Sequence, residues 1–145
     1  MHKDFYASGF LYHSRSQQIL LQQHKTADEK PAWSLFGKKA DKDKTGEEII
    51  RDIFLEDLNI KLKIRDINCI YTYSSKEEGA EHNIYYAEIK KLHKFPVSDK
   101  KEFTWFNFKQ ILKLNLSEQT KHDIVVGLRV IDSSVRKSLG LRTIG

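Results

Sequence analysis

The chain has a single cysteine, Cys69, which sits in an apolar run, so it can form no internal disulfide, and this usage suits a reducing cytoplasm. No apolar run approaches the roughly 20 residues that a membrane-spanning helix needs, which argues against a membrane partner. The first residues, MHKDFYASGFLYHS, lack the long apolar core and small-residue cleavage site of a signal peptide, so a cytoplasmic protein is expected. The histidines His2, His13, His24, His82, His93 and His122 show no zinc-like spacing. No Ser/His/Asp or Cys/His set suggests a nucleophile. There is no internal repeat, and without a clear basic stripe nucleic acid is not an expected partner.

What the sequence does contain is an ordinary globular composition, 39% hydrophobic and 31% charged over 145 residues. That length fits one domain around one core, here expected over residues 1–132, with a basic C-terminal tail over 133–145. The formal charge of +5 suits an anionic ligand such as a phosphate ester, although most of the lysines read as a solvated surface.

β-Prone bulk at Phe5, Tyr6, Phe10, Leu11 and Tyr12 predicts a strand from Asp4 to Tyr12. A polar turn and a second strand, Gln18 to His24, follow and complete a hairpin. Trp33, Leu35 and Phe36 predict a short strand that enters a charged, Gly-containing loop. Further strands are expected within Ile60 to Tyr73, at His82 to Ile89 and at Glu102 to Phe106. A short helix is expected from Phe108 to Leu114. Ser117 should cap a last helix from Glu118 to about Asp132, buried through Ile124, Val125, Leu128 and Ile131. This order argues for a mixed sheet with helices on both faces.

The most informative stretch is Trp33 to Ile60, WSLFGKKADKDKTGEEIIRDIFLEDLNI. Thr45 is a candidate N-cap, and Glu48, three residues later, completes a capping box. Ile49, Ile50, Ile53, Phe54 and Leu58 recur at helical spacing and give one buried stripe, and Asn59 can stop the helix. Asp52, Glu56 and Asp57 lie on the same helix. Acids three and four residues apart share a face, and hard oxygen ligands there can gather Mg²⁺ or Mn²⁺.

This stretch resembles the signature of the Nudix hydrolases (MutT-like proteins). That signature runs Gly, five residues, Glu, seven residues, then Arg-Glu-apolar-any-Glu-Glu-any-Gly-apolar. In the ungapped register Trp33, Leu35, Gly37, Thr45, Glu47, Phe54, Glu56, Asp57 and Ile60 carry the residue types that the pattern wants. Lys38, Lys44, Asp52, Ile53 and Asn59 depart from it, and Ile53 stands at a position that supplies a metal ligand in the family. Sliding the pattern by one residue instead aligns Gly37, Asp43, Arg51, Asp52, Ile53 and Glu56, but turns the apolar stripe by about 100°. Packing favours the ungapped register. Outside this stretch, ILLQQHK and EFTWFNFKQILKL are similar to the family's second strand and to its late strand and short helix.

The resemblance implies an α/β fold, a Nudix-like α/β/α sandwich with a mixed β-sheet. It implies divalent-metal-dependent hydrolysis of a nucleoside diphosphate linked to another moiety, with Mg²⁺ or Mn²⁺ as cofactor. Glu56 and Asp57 are the expected metal ligands, with Asp52 as a third catalytic acid, and Gly37, Lys38 and Lys39 the substrate contacts. Glu78, Glu81 and Glu102 are candidates for a base outside the helix, and Tyr6, Tyr71, Tyr73 and Tyr85 for stacking on a nucleobase. The departures leave a second reading open, a catalytically silent module that binds a nucleotide-derived small molecule or a protein. A homodimer is compatible with either.

Overall fold

The computed structural model describes residues 5–24, 32–40, 43–74, 81–95 and 100–138, with side chains up to residue 133. β1 (Phe5–His13) is apolar on both faces, with Ala7 and Leu11 buried on one side and Phe10 and Tyr12 on the other. A strand of this kind belongs inside a sheet covered on both sides. It runs parallel to β6 (Glu81–Ile89), from Phe5↔Glu81 to His13↔Ile89, and antiparallel to β2 (Gln18–His24). β5 (Ile67–Ser74) pairs antiparallel with β6, and β7 (Lys101–Asn107) with β2, so the sheet is mixed.

β1 and β2 pair only from Leu11 to His13 and then part. The segment 33–39 fills the fork. β3 (Trp33–Ser34) pairs with Gln22 and Gln23 of β2, and β4 (Phe36–Lys39) pairs with Tyr6 to Gly9 of β1. Leu35 lies between the two short strands, and its carbonyl accepts a hydrogen bond from Gln22 Nε2 at 3.1 Å. Gln22 is buried, and its Oε1 meets no donor among the described residues, a cost on the order of 1–3 kcal/mol.

Helices close both faces. α1 (Gly46–Leu58) starts at the expected capping box, with Thr45 Oγ1 accepting from Glu48 N–H at 3.2 Å and Glu48 Oε1 accepting from Thr45 N–H at 3.1 Å. It ends at Asn59 in the left-handed conformation, φ 56°. Ile49, Ile50, Ile53, Phe54 and Leu58 face the sheet, as the ungapped register requires. The Phe54 ring lies 5.0 Å from that of Phe36, which lies 5.7 Å from Phe103, tying α1 to β4 and β7. On the opposite face lie α2 (Phe108–Ile111) and α3 (Glu118–Ser138), which bury Ile111, Ile124 and Ile131. Ser117 caps α3 as expected, accepting from Thr120 N–H at 3.1 Å.

The structure corrects several sequence expectations. Gly37, Lys38 and Lys39 are not in a loop, because the open edge of β1 draws them into β4. The strand expected from Ile60 begins only at Ile67. Ile60 and Leu62 pack onto the α1 core, and a 3-10 turn, Ile64–Asp66, redirects the chain. α2 is shorter than expected. α3 continues past Asp132 to Ser138, and its buried positions include Asp123 and Gly127, while Val125 and Leu128 are half-buried. Glu78 and the tail from residue 139 lie outside the described residues.

Gly46, the first residue of α1, has no room for a side chain. A β-carbon there would run into the Tyr85 hydroxyl and come within 2.7 Å of its Cζ. Gly46→Ala is expected to destabilise the fold by about 1–3 kcal/mol in urea unfolding, although alanine favours helix. Pairing it with Tyr85→Ala should recover part of that loss, and a purely additive double mutant would rule the contact out as the cause.

Candidate functional site

Cross-strand neighbours share a face, which fixes where the residues of β4 stand. Lys38, opposite Ala7, shares the face covered by α1. Gly37, opposite Ser8, and Lys39, opposite Tyr6, share the face of α3. α3 lies over β5 and β6 and leaves the β1–β4 part of that face open: Gly37 is exposed, and Ser8 and Tyr6 are half-buried. A β-carbon on Gly37 would sit 2.6 Å from Ser8 Oγ and 2.8 Å from the Ala7 carbonyl oxygen. That space is already taken by Ser8 Oγ and the β1 backbone, so only glycine fits there, and the uncovered face continues to Tyr6 and Lys39 next along the strands.

Tyr6 is the end of a row of rings. His82 lies between Tyr6 (5.1 Å, interplanar 9°) and Tyr73 (4.7 Å, 2°), and Tyr73 stacks on Tyr71 at 5.6 Å. Since β6 lies on one side of β1 and β4 on the other, the second face of the Tyr6 ring turns toward β4, where Lys39 is its cross-strand neighbour. At the far end, the Tyr71 hydroxyl donates to Asp123 Oδ1, and Gln119 Nε2 donates to the same oxygen at 2.8 Å and to Tyr71 Oη at 3.2 Å. Burial raises the Asp123 carboxyl above its ordinary range, and the bonds from Tyr71 and Gln119 pull it back. Burial and the adjoining carboxylate hold the Tyr71 phenol well above the usual tyrosine range. Tyr85, by contrast, is buried in the α1 layer, where no base can stack on it.

The acids expected on α1 do not converge. Asp52 Oδ2 accepts from Lys44 Nζ at 2.7 Å and Asp52 Oδ1 from Arg51 Nε at 3.2 Å. The Lys44 bond is the main reason its carboxyl is held below the ordinary range. Asp57 Oδ2 faces Lys101 Nζ at 3.4 Å. Glu56 points to solvent, and Ile53 is 6% exposed in the core. Among the described residues no group of three His, Cys, Asp or Glu side chains is placed to hold a metal ion. Two of the three candidate ligands face cations and the position between them is apolar, so these side chains do not fit a Mg²⁺ or Mn²⁺ cluster. Glu81 and Glu102 are half-buried on β6 and β7 and join no such group.

Ser8 and His82 were not singled out in the sequence. Their roles follow from strand pairing, which a single sequence does not reveal. No helix among the described residues is long and apolar enough to cross a membrane.

Among solved structures, the chain is similar to the NUDIX domain of Shewanella oneidensis NrtR complexed with ADP ribose (TM-score 0.65, 17% identity, covering 88% of this chain and 86% of that one). It is similar to MutT from a study of the Aliivibrio salmonicida and Vibrio cholerae proteins (TM-score 0.67, 11% identity, 90% and 99%). It also matches a MutT/nudix family protein from Enterococcus faecalis (TM-score 0.57, 20% identity, 74% of this chain), of which it spans 44%. No protein-family model matches the chain, and no curated protein matches it in sequence. At these identities the likeness establishes the fold: a mixed sheet between helices, with the Nudix architecture that the central stretch implied.

Two carboxylates at α1 set an acid dependence. The Thr45 backbone and hydroxyl hold Glu48 below its ordinary range, and Lys44 does the same for Asp52. A folded-state value below the unfolded one contributes stability above the unfolded value, which is lost as pH falls through the folded one. Asp123 works in the opposite direction, since its raised value makes protonation favour the fold. Stability in urea is therefore expected to decline below about pH 4.5. Glu48→Gln with Asp52→Asn should make that decline shallower, and an unchanged slope would show that neither bond contributes.

Proposed function

We propose that this chain is a Nudix-fold module that binds a nucleotide-derived small molecule on the uncovered face of β1 and β4. That face is the observation that carries the reading. Exposed Gly37 and the Ser8 hydroxyl lie beside a tyrosine, Tyr6, with Lys39 as its cross-strand neighbour. A base or ribose needs a flat apolar surface with a few hydroxyl-scale partners, and a phosphate needs a cation nearby. The overall charge of +5 favours such an anion. One neighbour of the same fold is complexed with ADP ribose, a ligand of this class. Lys38, on the other face of β4, is a phosphate contact for a ligand that passes over the strand's edge. The unpaired Cys69 suits a reducing, cytoplasmic setting.

The engagement of Asp52 and Asp57 by cations and the burial of Ile53 favour binding over metal-assisted phosphoanhydride cleavage. Hydrolysis is the second reading, and Glu56, whose carboxylate is exposed, is the residue it would depend on.

Isothermal titration with ADP-ribose, ADP, ATP and a dinucleoside polyphosphate tests the proposal. At least one is expected to bind, and Tyr6→Ala should weaken it about tenfold, the scale of one lost stacking contact. Lys39→Gln, at an exposed position opposite Tyr6, should also weaken a phosphate-bearing ligand, with circular dichroism confirming the fold. Absence of binding to every ligand would sink the proposal. Turnover with Mg²⁺ or Mn²⁺ that Glu56→Gln abolishes would establish the hydrolase instead.

A further inference from the structure

We infer that the cavity between the β1–β2 turn, the start of α2 and the second half of α3 is a binding site for an uncharged small molecule with an apolar body and a carbonyl acceptor. The site is separate from the β1–β4 face and stands whether or not that face binds a nucleotide. Tyr6 and Tyr12 lie on the same face of β1, about 20 Å apart at the rise of a strand. Phe10, fully buried against α3, separates them. The cavity has a volume of about 680 Å³, within the roughly 300–1,000 Å³ of small-molecule sites.

Two of its walls are held by hydrogen bonds of the fold itself. The turn is pinned by the buried His13, whose Nδ1 accepts from Ser16 N–H at 3.2 Å and lies 2.6 Å from Ser16 Oγ. His13 Nε2 lies 3.1 Å from the Lys90 carbonyl oxygen, which fixes the ring in turn. Across the cavity, Asn107 and Gln110 close a reciprocal cap over the first turn of α2, at 2.8 and 2.9 Å. Walls that are already fixed lose little freedom when a ligand enters.

The lining is apolar and carries one unanswered polar group. Leu128, Ile131 and the ring of Phe108 supply the apolar surface, and Phe108 remains 45% exposed. Tyr12 lines the same cavity. It is only 8% exposed, yet its hydroxyl makes no hydrogen bond among the described residues. Buried polar groups find partners, so this hydroxyl is answered from within the cavity, by water or by a ligand. Burial, and then the carboxylates of Glu88 and Asp132, hold the phenol above the usual tyrosine range. It therefore stays a donor, and the two carboxylates disfavour an anionic acceptor, which leaves a neutral carbonyl. Lys109 and Asp132 stand in the lining with opposite signs, so the lining itself adds no net charge. Ser14 and Gln17 offer further polar contacts from the turn. No bond is made or broken at this site, and its function is binding.

Backbone amide NMR shifts provide the test, with benzamide, N-acetylphenylalaninamide and N-acetylleucinamide as uncharged probes at millimolar concentration. At least one is expected to bind saturably, with shifts gathered at Ser14 to Gln17, Phe108 and Leu128 to Asp132 and absent from Tyr6 and Gly37. Tyr12→Phe keeps the ring and removes the donor, and should weaken binding about three- to tenfold, the worth of one hydrogen bond. Phe108→Ala, at an exposed position, should weaken it at least as much, and unchanged thermal unfolding would confirm that both variants fold. Benzoate should bind more weakly than benzamide. In the unmodified chain the shift pattern alone decides the location, so failure of all three probes to give saturable shifts at the cavity overturns the inference. Binding that Tyr12→Phe leaves intact overturns it too, and benzoate binding as tight as that of benzamide overturns the choice of an uncharged ligand.

Discussion

The backbone pairing at the fork between β1 and β2 is the constraint on which the rest of the structure depends. Two strands that separate expose two rows of N–H and carbonyl groups, and each row needs a partner or water. Segment 33–39 serves both rows in succession, β2 through Trp33 and Ser34 and β1 through Phe36 to Lys39. Changing partners requires a break, and at the break the Leu35 carbonyl takes the Gln22 amide. Leu35 and Phe36 consequently enter opposite cores, one under α3 and one under α1, so a single step of the backbone links the two layers.

The candidate site follows from the same pairing. β4 lies so close to β1 that only glycine fits opposite Ser8, on the face that α3 leaves uncovered. The chain then leaves β4 on the way to Thr45, which places Lys44 immediately ahead of the α1 cap and within reach of Asp52. The β1–β4 face and the Lys44–Asp52 pair lie at the two ends of one short connection, and the fork positions both.

Much of this was legible in the sequence. The capping box at Thr45 and Glu48, the stripe from Ile49 to Leu58 and the stop at Asn59 are local features with strong spacing rules, and they appear where expected. The mixed sheet between helices followed from element order. Lys38 and Lys39 read as a loop because charge on a short segment looks like solvent exposure; they are strand because β1 offers unpaired backbone, a non-local cause. Asp52, Glu56 and Asp57 looked like one ligand set because helical spacing puts acids on a shared face. Spacing does not say which cations approach from elsewhere, and Lys101 reaches Asp57 from 44 positions away. Ser8 acquires meaning only through its register with Gly37, and Asp123 only through Tyr71 on a distant strand.

β5 has a further consequence. It borders the sheet, and its outer backbone groups have no strand partner among the described residues. A long straight border of that kind is a template onto which other chains can add. In β5 the pairing with β6 slips by one residue between Cys69↔Tyr85 and Tyr71↔Ile84, so Ile70 is an extra residue in the strand. A bulge bends and twists a strand locally, so an incoming strand finds two short stretches out of phase where it would need one continuous register. The irregularity that lets both Ile70 and Tyr71 pack toward α3 therefore also limits the growth of the sheet beyond its own chain.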